Sequence, residues 1–243
     1  MRLDKYLSEL NIGSRSQVKT YIRQKLIKVN GELATKPEQK VDETKDIITF
    51  RGNTLQYQRY VYYMLNKPQG VVSATQDNTA KTVVDIIDSP RKADLFPVGR
   101  LDKDTEGLLL LTNDGEMAHD MLSPKKHVNK TYLVTIKEKL SEEAINKLEI
   151  GVDIGDEKPT APAMVQVQDD YHILLTIQEG RFHQVKRMLK AVDNEVTHLK
   201  RISFGALTLD EKLAPGESRE LTPQEVELIH EETNATGQGS GYF

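Results

Sequence analysis

The chain contains no cysteine and no tryptophan. The first absence excludes disulfides, thiolate zinc sites, iron–sulfur clusters and cysteine nucleophiles. Long apolar runs are missing too. Nothing approaches the roughly 20 residues that a membrane-spanning helix requires, so no membrane partner is expected. The start, MRLDKYLSEL, has no apolar signal core and no small-residue cleavage site, which makes the cytoplasm the expected address. There is no Walker-type loop, and His119, His127, His172, His183, His198 and His230 show no zinc spacing, so no metal is expected.

What is present describes a globular protein, with 37% hydrophobic and 29% charged residues among 243. That length allows one large domain or a small one followed by a larger one. The net charge of −4 conceals segregation: residues 1–58 hold 11 basic and 7 acidic side chains, whereas 206–243 hold 2 and 8. A basic module on a neutral-to-acidic body suits directed docking to a polyanion, although proteins with no such role also segregate charge.

Leu3, Leu7 and Leu10 have the spacing of one buried helical stripe. Ser14 and Gln17 fit a capping box, with Val18 and Ile22 as the apolar face of a second helix. Asn30-Gly31 between apolar runs signals a hairpin, Ile47–Phe50 a closing strand, and Arg51–Arg59 a linker. From Tyr60 the pattern becomes strands broken by short helices. Strands are expected at 60–65, 95–98, 108–112, 131–136, 163–167, 172–177, 196–202 and 207–209. Helices are expected at 83–87, 116–121, 141–148 and 183–192, with a last one opened by the capping box Thr222-Pro223-Gln224-Glu225. The fold class expected is α+β: a small α/β domain with its linker over 1–58, then a larger domain with a mixed or antiparallel sheet over 59–233. The Gly/Ser-rich segment 234–243 is expected to be disordered, and its alternating glycines lack the strand and helix of a phosphate loop.

The most unusual segment is GRLDKDTEGLLLLTNDG, residues 99–115, a charged loop between two glycines that leads into an unbroken apolar strand. Asp102 lies between Arg100 and Lys103, and neighbouring cations keep a carboxylate ionised, as a nucleophile must be. On loop chemistry alone, a solvated loop with incidental ion pairs remains the commoner case. The segment resembles the catalytic motif of RNA pseudouridine synthases, in the RsuA branch that carries an N-terminal S-four-type RNA-binding domain. Asn66-Lys67-Pro68-Gln69-Gly70, Lys130-Thr131-Tyr132 and Glu179-Gly180-Arg181-Phe182-His183-Gln184-Val185-Lys186-Arg187 resemble the other motifs, in family order. The opening, with Leu3-Asp4-Lys5, Ser14-Arg15 and Val29-Asn30-Gly31, is similar to the S-four-type domain.

The resemblance implies cofactor-free isomerisation of uridine to pseudouridine, with Asp102 as the essential carboxylate, Tyr132 stacking on the uracil and Lys186 pairing with Asp102. Whether Asp102 attacks C1′, adds to the base or removes a 2′-proton stays open. RNA-binding residues are expected at Arg2, Lys5, Arg15, Lys19, Arg23, Lys25, Lys28, Arg100, Arg181 and Arg187. Of these, Arg15, Lys19 and Arg23 line one helix face, where plain solvation is the alternative. His183 and Gln184 are left as capping or RNA-contacting groups. The implied partner is ribosomal RNA: 16S rRNA in a partly assembled small subunit, met by a monomer, with the large-subunit 23S branch as the alternative. A non-catalytic RNA-binding assembly factor is the alternative of another class. A glycoside hydrolase using Asp102 with Asp104 or Glu106 fits less well, because Gly70, Tyr132 and Lys186 would go unexplained.

Overall fold

The computed structural model describes residues 1–235; most of the Gly/Ser-rich segment lies outside them. The chain divides into two compact units, Met1–Val61 with Asp88–Ala93, and Tyr62–Ile87 with Asp94 onward.

In the smaller unit, α1 (Leu3–Glu9) and α2 (Arg15–Arg23) pack on a four-stranded antiparallel sheet. Its strands are β1 (Ile27–Val29), β2 (Glu32–Leu33), β3 (Ile48–Phe50) and β4 (Asn53–Leu55), in the order β2-β1-β3-β4. Leu3, Leu7, Val18, Ile22, Ile27 and Ile48 form the core, as the 3.6-residue spacing requires. The Ser14–Gln17 capping box is present. Strand β4 occupies what the sequence suggested was a linker. Arg51 and Gly52 both adopt positive φ (52° and 86°), as a two-residue hairpin turn demands, and Arg-Gly is a weaker signal for that turn than Asn-Gly. Tyr57 then stacks on Tyr6 with centroids 5.1 Å apart. Segment 88–93 groups here, not with the larger part, because the Arg91 guanidinium donates to the carbonyls of Gln58 (2.7 Å) and Arg59 (3.1 Å).

The larger unit is built on a nine-stranded mixed sheet. In chain order its elements are β5 (Tyr62–Lys67), β6 (Phe96–Pro97), β7 (Glu106–Thr112), α3 (Gly115–Leu122), β8 (Lys130–Ile136), α4 (Glu142–Ile150), β9 (Met164–Val167), β10 (His172–Ile177), α5 (Gln184–Ala191), β11 (Val196–Phe204), β12 (Leu207–Thr208), β13 (Ser218–Glu220) and α6 (Pro223–Ala235). The path runs β13-β5-β7-β11-β8-β10-β9, with β12 on β11 and β6 on β7. Every pairing is antiparallel except β7 with β11. That parallel contact needs Gly107, whose φ is +102° and where a Cβ would stand 2.2 Å from the Arg201 carbonyl oxygen.

Two expectations need correction. Residues 83–87 form turns, not a helix. Their bonds close over three residues, Asp85 N–H to the Thr82 carbonyl and Ile87 N–H to that of Val84, and Pro90 disfavours a helical Ser89. Strand β13 went unread because only its pairing with β5 gives Ser-Arg-Glu a strand's identity. Helix α6 opens with the expected Thr222–Glu225 box and runs through Asn234 and Ala235, the first two residues of the segment expected to be disordered.

Candidate active site

Asp102 sits in the loop between β6 and β7, which a buried lysine holds from below. Lys67, at the end of β5, is fully buried, and its ammonium donates to the carbonyls of Thr105 (2.8 Å), Asp102 (3.0 Å) and Pro68 (3.1 Å). Ser73 adds a second clamp: its Oγ donates to the Leu101 carbonyl (2.9 Å) and accepts the Leu101 N–H (3.0 Å). The loop's main chain is therefore set without help from the Asp102 side chain, which stays partly exposed in an open cleft.

Burial pushes the Lys67 ammonium down to about 8 from 10.5. The unfolded chain thus holds more protons than the folded one between those pH values, and this group's contribution to stability rises with pH across that window. Lys67→Met leaves several buried carbonyls without a donor and is expected to cost about 3 kcal/mol. In urea unfolding, the gap between wild type and Lys67→Met should widen from pH 8 to pH 10.5; a constant or narrowing gap contradicts the assignment.

Helix α5 brings the counter-charges. The Lys186 Nζ lies 3.5 Å from Asp102 Oδ2 and makes its hydrogen bond, 2.6 Å, to Asp104 Oδ1. Lys186 is thus shared between two carboxylates, and its bond holds the Asp104 carboxyl below the usual range. His183, just before α5, has a left-handed backbone (φ 48°, ψ 36°) that carries its Nε2 to 3.6 Å from Asp102 Oδ1. It makes no side-chain cap bond. Gln184 is buried and locks the turn, accepting from the Arg181 N–H (2.9 Å) and donating to Glu179 (2.9 Å).

Tyr132, the third residue of β8, also lines the cleft and is 8% exposed. Beside it Arg201 of β11 is fully buried, donating Nε–H to the Leu108 carbonyl (2.8 Å) and lying over the Phe204 ring. Burial pushes the Arg201 guanidinium below its ordinary value, and the Tyr132 side chain acts the other way. Lys130, also buried, is pushed down to about 8. Neither Lys67 nor Arg201 was singled out as functional from the sequence. Lys67 lies within the Asn66–Gly70 motif, whereas nothing local announced that Arg201 would be buried.

The expected RNA-contacting cations divide into two groups. Arg15, Lys19, Arg23, Lys25, Lys28 and Arg100 are exposed and, among the described residues, form no salt bridge. Others are engaged by the protein itself. Arg2 chelates Asp4 (2.9 and 2.7 Å), and Lys5 pairs with Glu9 at 3.5 Å. Arg181 binds the carbonyls of Lys158 and Pro159 together with Glu179. Arg187 binds the carbonyls of Ile154 and Phe182 together with Asp156. Among the described residues no cluster suits a metal ion, and no helix is long and apolar enough to cross a membrane.

Known proteins share this architecture. The family described as RNA pseudouridylate synthase matches residues 61–191, and the S4 domain matches residues 1–48. A Bacillus subtilis protein described as an uncharacterized RNA pseudouridine synthase is 48% identical, over 95% of this chain and 99% of its own. Ribosomal small subunit pseudouridine synthase A of Escherichia coli is 42% identical, over 94% of this chain and 100% of its own. A crystal structure of a pseudouridylate synthase superposes with a TM-score of 0.68 at 41% identity, covering 94% of this chain and 99% of that one.

Proposed function

Because this chain belongs to the RNA pseudouridylate synthase family and carries an S4 domain, we propose that the RNA in which it isomerises uridine is 16S rRNA, modified at one uridine in a partly assembled small subunit. The near end-to-end likeness to relatives named for the small subunit is the observation that carries this reading. The enzyme acts as a monomer in the cytoplasm, with residues 1–58 docking RNA and residues 59–233 doing the chemistry.

In this mechanism the target uridine is flipped into the cleft, and Tyr132 replaces the stacking that the base gives up. The ionised Asp102 acts on the ribose or the base, and Lys186 offsets its charge from α5. The glycosidic bond breaks at N1, the base turns, C5 joins C1′ and then gives up its proton, and N1 takes one up, with no net oxidation. Lys67 and Arg201 position the loop and the tyrosine.

Pseudouridine mapping in rRNA from cells with and without the gene tests the target. Loss of one small-subunit pseudouridine is expected; loss of a large-subunit one overturns the 16S reading. Docking has its own test. Neutralising Arg15, Lys19 and Arg23 together should flatten the dependence of log K on log salt by roughly 0.7–0.9 for each phosphate that the protein no longer neutralises. An unchanged slope would show that the α2 stripe does not touch RNA.

A further inference from the structure

Beside the cleft that holds Asp102 and Tyr132 lies a second cavity of about 380 Å³, and Asp102 and His183 border both. Its wall includes Phe182, which is 75% exposed. The Phe182 ring stacks on the His183 imidazole, 3.8 Å between centroids and 18° from parallel. The turn is held firmly, since the Phe182 carbonyl accepts from Arg187 Nη1 (2.9 Å) while Arg187 is anchored to Ile154 and Asp156. Residues with a Cβ rarely take the left-handed conformation seen at His183. Here it carries the imidazole toward Asp102, and Phe182 stands exposed beside it. The loop contributes Arg100 and Lys103 to the same cavity, both exposed and without a salt bridge among the described residues.

The site thus has an aromatic ring in each of two adjoining cavities, a carboxylate between them and two free cations on the rim. Extruding a uridine also strips its neighbour of a stacking partner, and an aromatic face with nearby cations replaces that partner for any base. We propose that Phe182, backed by His183, is a stacking platform for the base of a nucleotide adjacent to the target uridine, with Arg100 and Lys103 meeting the phosphate between them. The ligand is an unpaired nucleotide in single-stranded RNA, recognised by its ring face and not by its identity. The proposal rests on the reading of the Asp102–Tyr132 cleft as the uracil site.

The lack of tryptophan supplies the probe, because Phe182→Trp introduces a single indole. A 16S rRNA fragment that spans the target uridine and is shown to bind should quench its emission, and an abasic neighbour should abolish the quenching while RNA still binds. Tyr171→Trp, at an exposed position before β10, should report no change. Phe182→Ala and Phe182→Leu should lower kcat/KM for intact RNA by about 10- to 100-fold, and Phe182→Tyr should restore it. On abasic RNA, wild type and Phe182→Ala should be equal. Three results overturn the platform: bound RNA that leaves the indole emission unchanged, an abasic penalty as large in Phe182→Ala as in wild type, or emission that follows protein concentration without RNA, which assigns the ring to self-association. If wild type modifies a large-subunit uridine instead, the 16S reading fails while the same set of variants, run on that RNA, still decides the platform.

Discussion

Asp102→Asn is expected to abolish pseudouridine formation, with a loss of at least ~10³-fold in the single-turnover rate. The amide preserves size and polarity but has no charge with which to act as nucleophile or base. The fold should survive, because Lys67 and Ser73 hold the loop through main-chain groups of residues 101, 102 and 105, which the substitution leaves intact. RNA affinity should stay within a few-fold of wild type, since the exposed cations of α2 lie elsewhere. Pseudouridine formed by purified protein on its rRNA substrate is the measurement. A near wild-type rate in Asp102→Asn would remove Asp102 from the chemistry and the proposed mechanism with it.

Lys186→Met has the second largest expected effect, a fall of roughly 10²-fold or more in kcat/KM. The ammonium lies 3.5 Å from Asp102 and 2.6 Å from Asp104, so its removal takes from both carboxylates the cation they share. Lys186→Arg keeps the charge and should recover much of the loss. Asp104→Asn separates the two partners: it frees Lys186 from its hydrogen bond and should impair the enzyme far less than Lys186→Met. A kcat/KM for Lys186→Met within a few-fold of wild type would remove Lys186 from the chemistry.

Much of the scaffold was legible because it is written locally. A capping box lies within four residues, and the boxes at Ser14 and Thr222 are where the sequence placed them. Asn30-Gly31 makes the hairpin turn, with positive φ at both residues. Strand β10 spans His172–Ile177 as the alternation indicated. The residues proposed for catalysis were legible through resemblance rather than periodicity, and the structure brings Asp102, Tyr132 and Lys186 to one cleft.

The sequence by itself determined the two-part α+β plan, the Asn30-Gly31 turn, the caps at Ser14 and Thr222, and the charged loop that carries Asp102. Tertiary structure alone decided which charges remain free. Arg181 and Arg187 look like RNA-binding cations in the chain, but carbonyls and acids brought in from residues 154–159 engage them. Lys67 reads as part of a turn, yet it becomes the buried clamp of a loop more than thirty residues away. Arg201 looks like any alternate residue of a strand until the parallel pairing of β11 with β7 buries it beside Tyr132. Short-range patterns record the preferences of the backbone, whereas the burial and partners of a charged side chain depend on segments that meet only when the sheet closes.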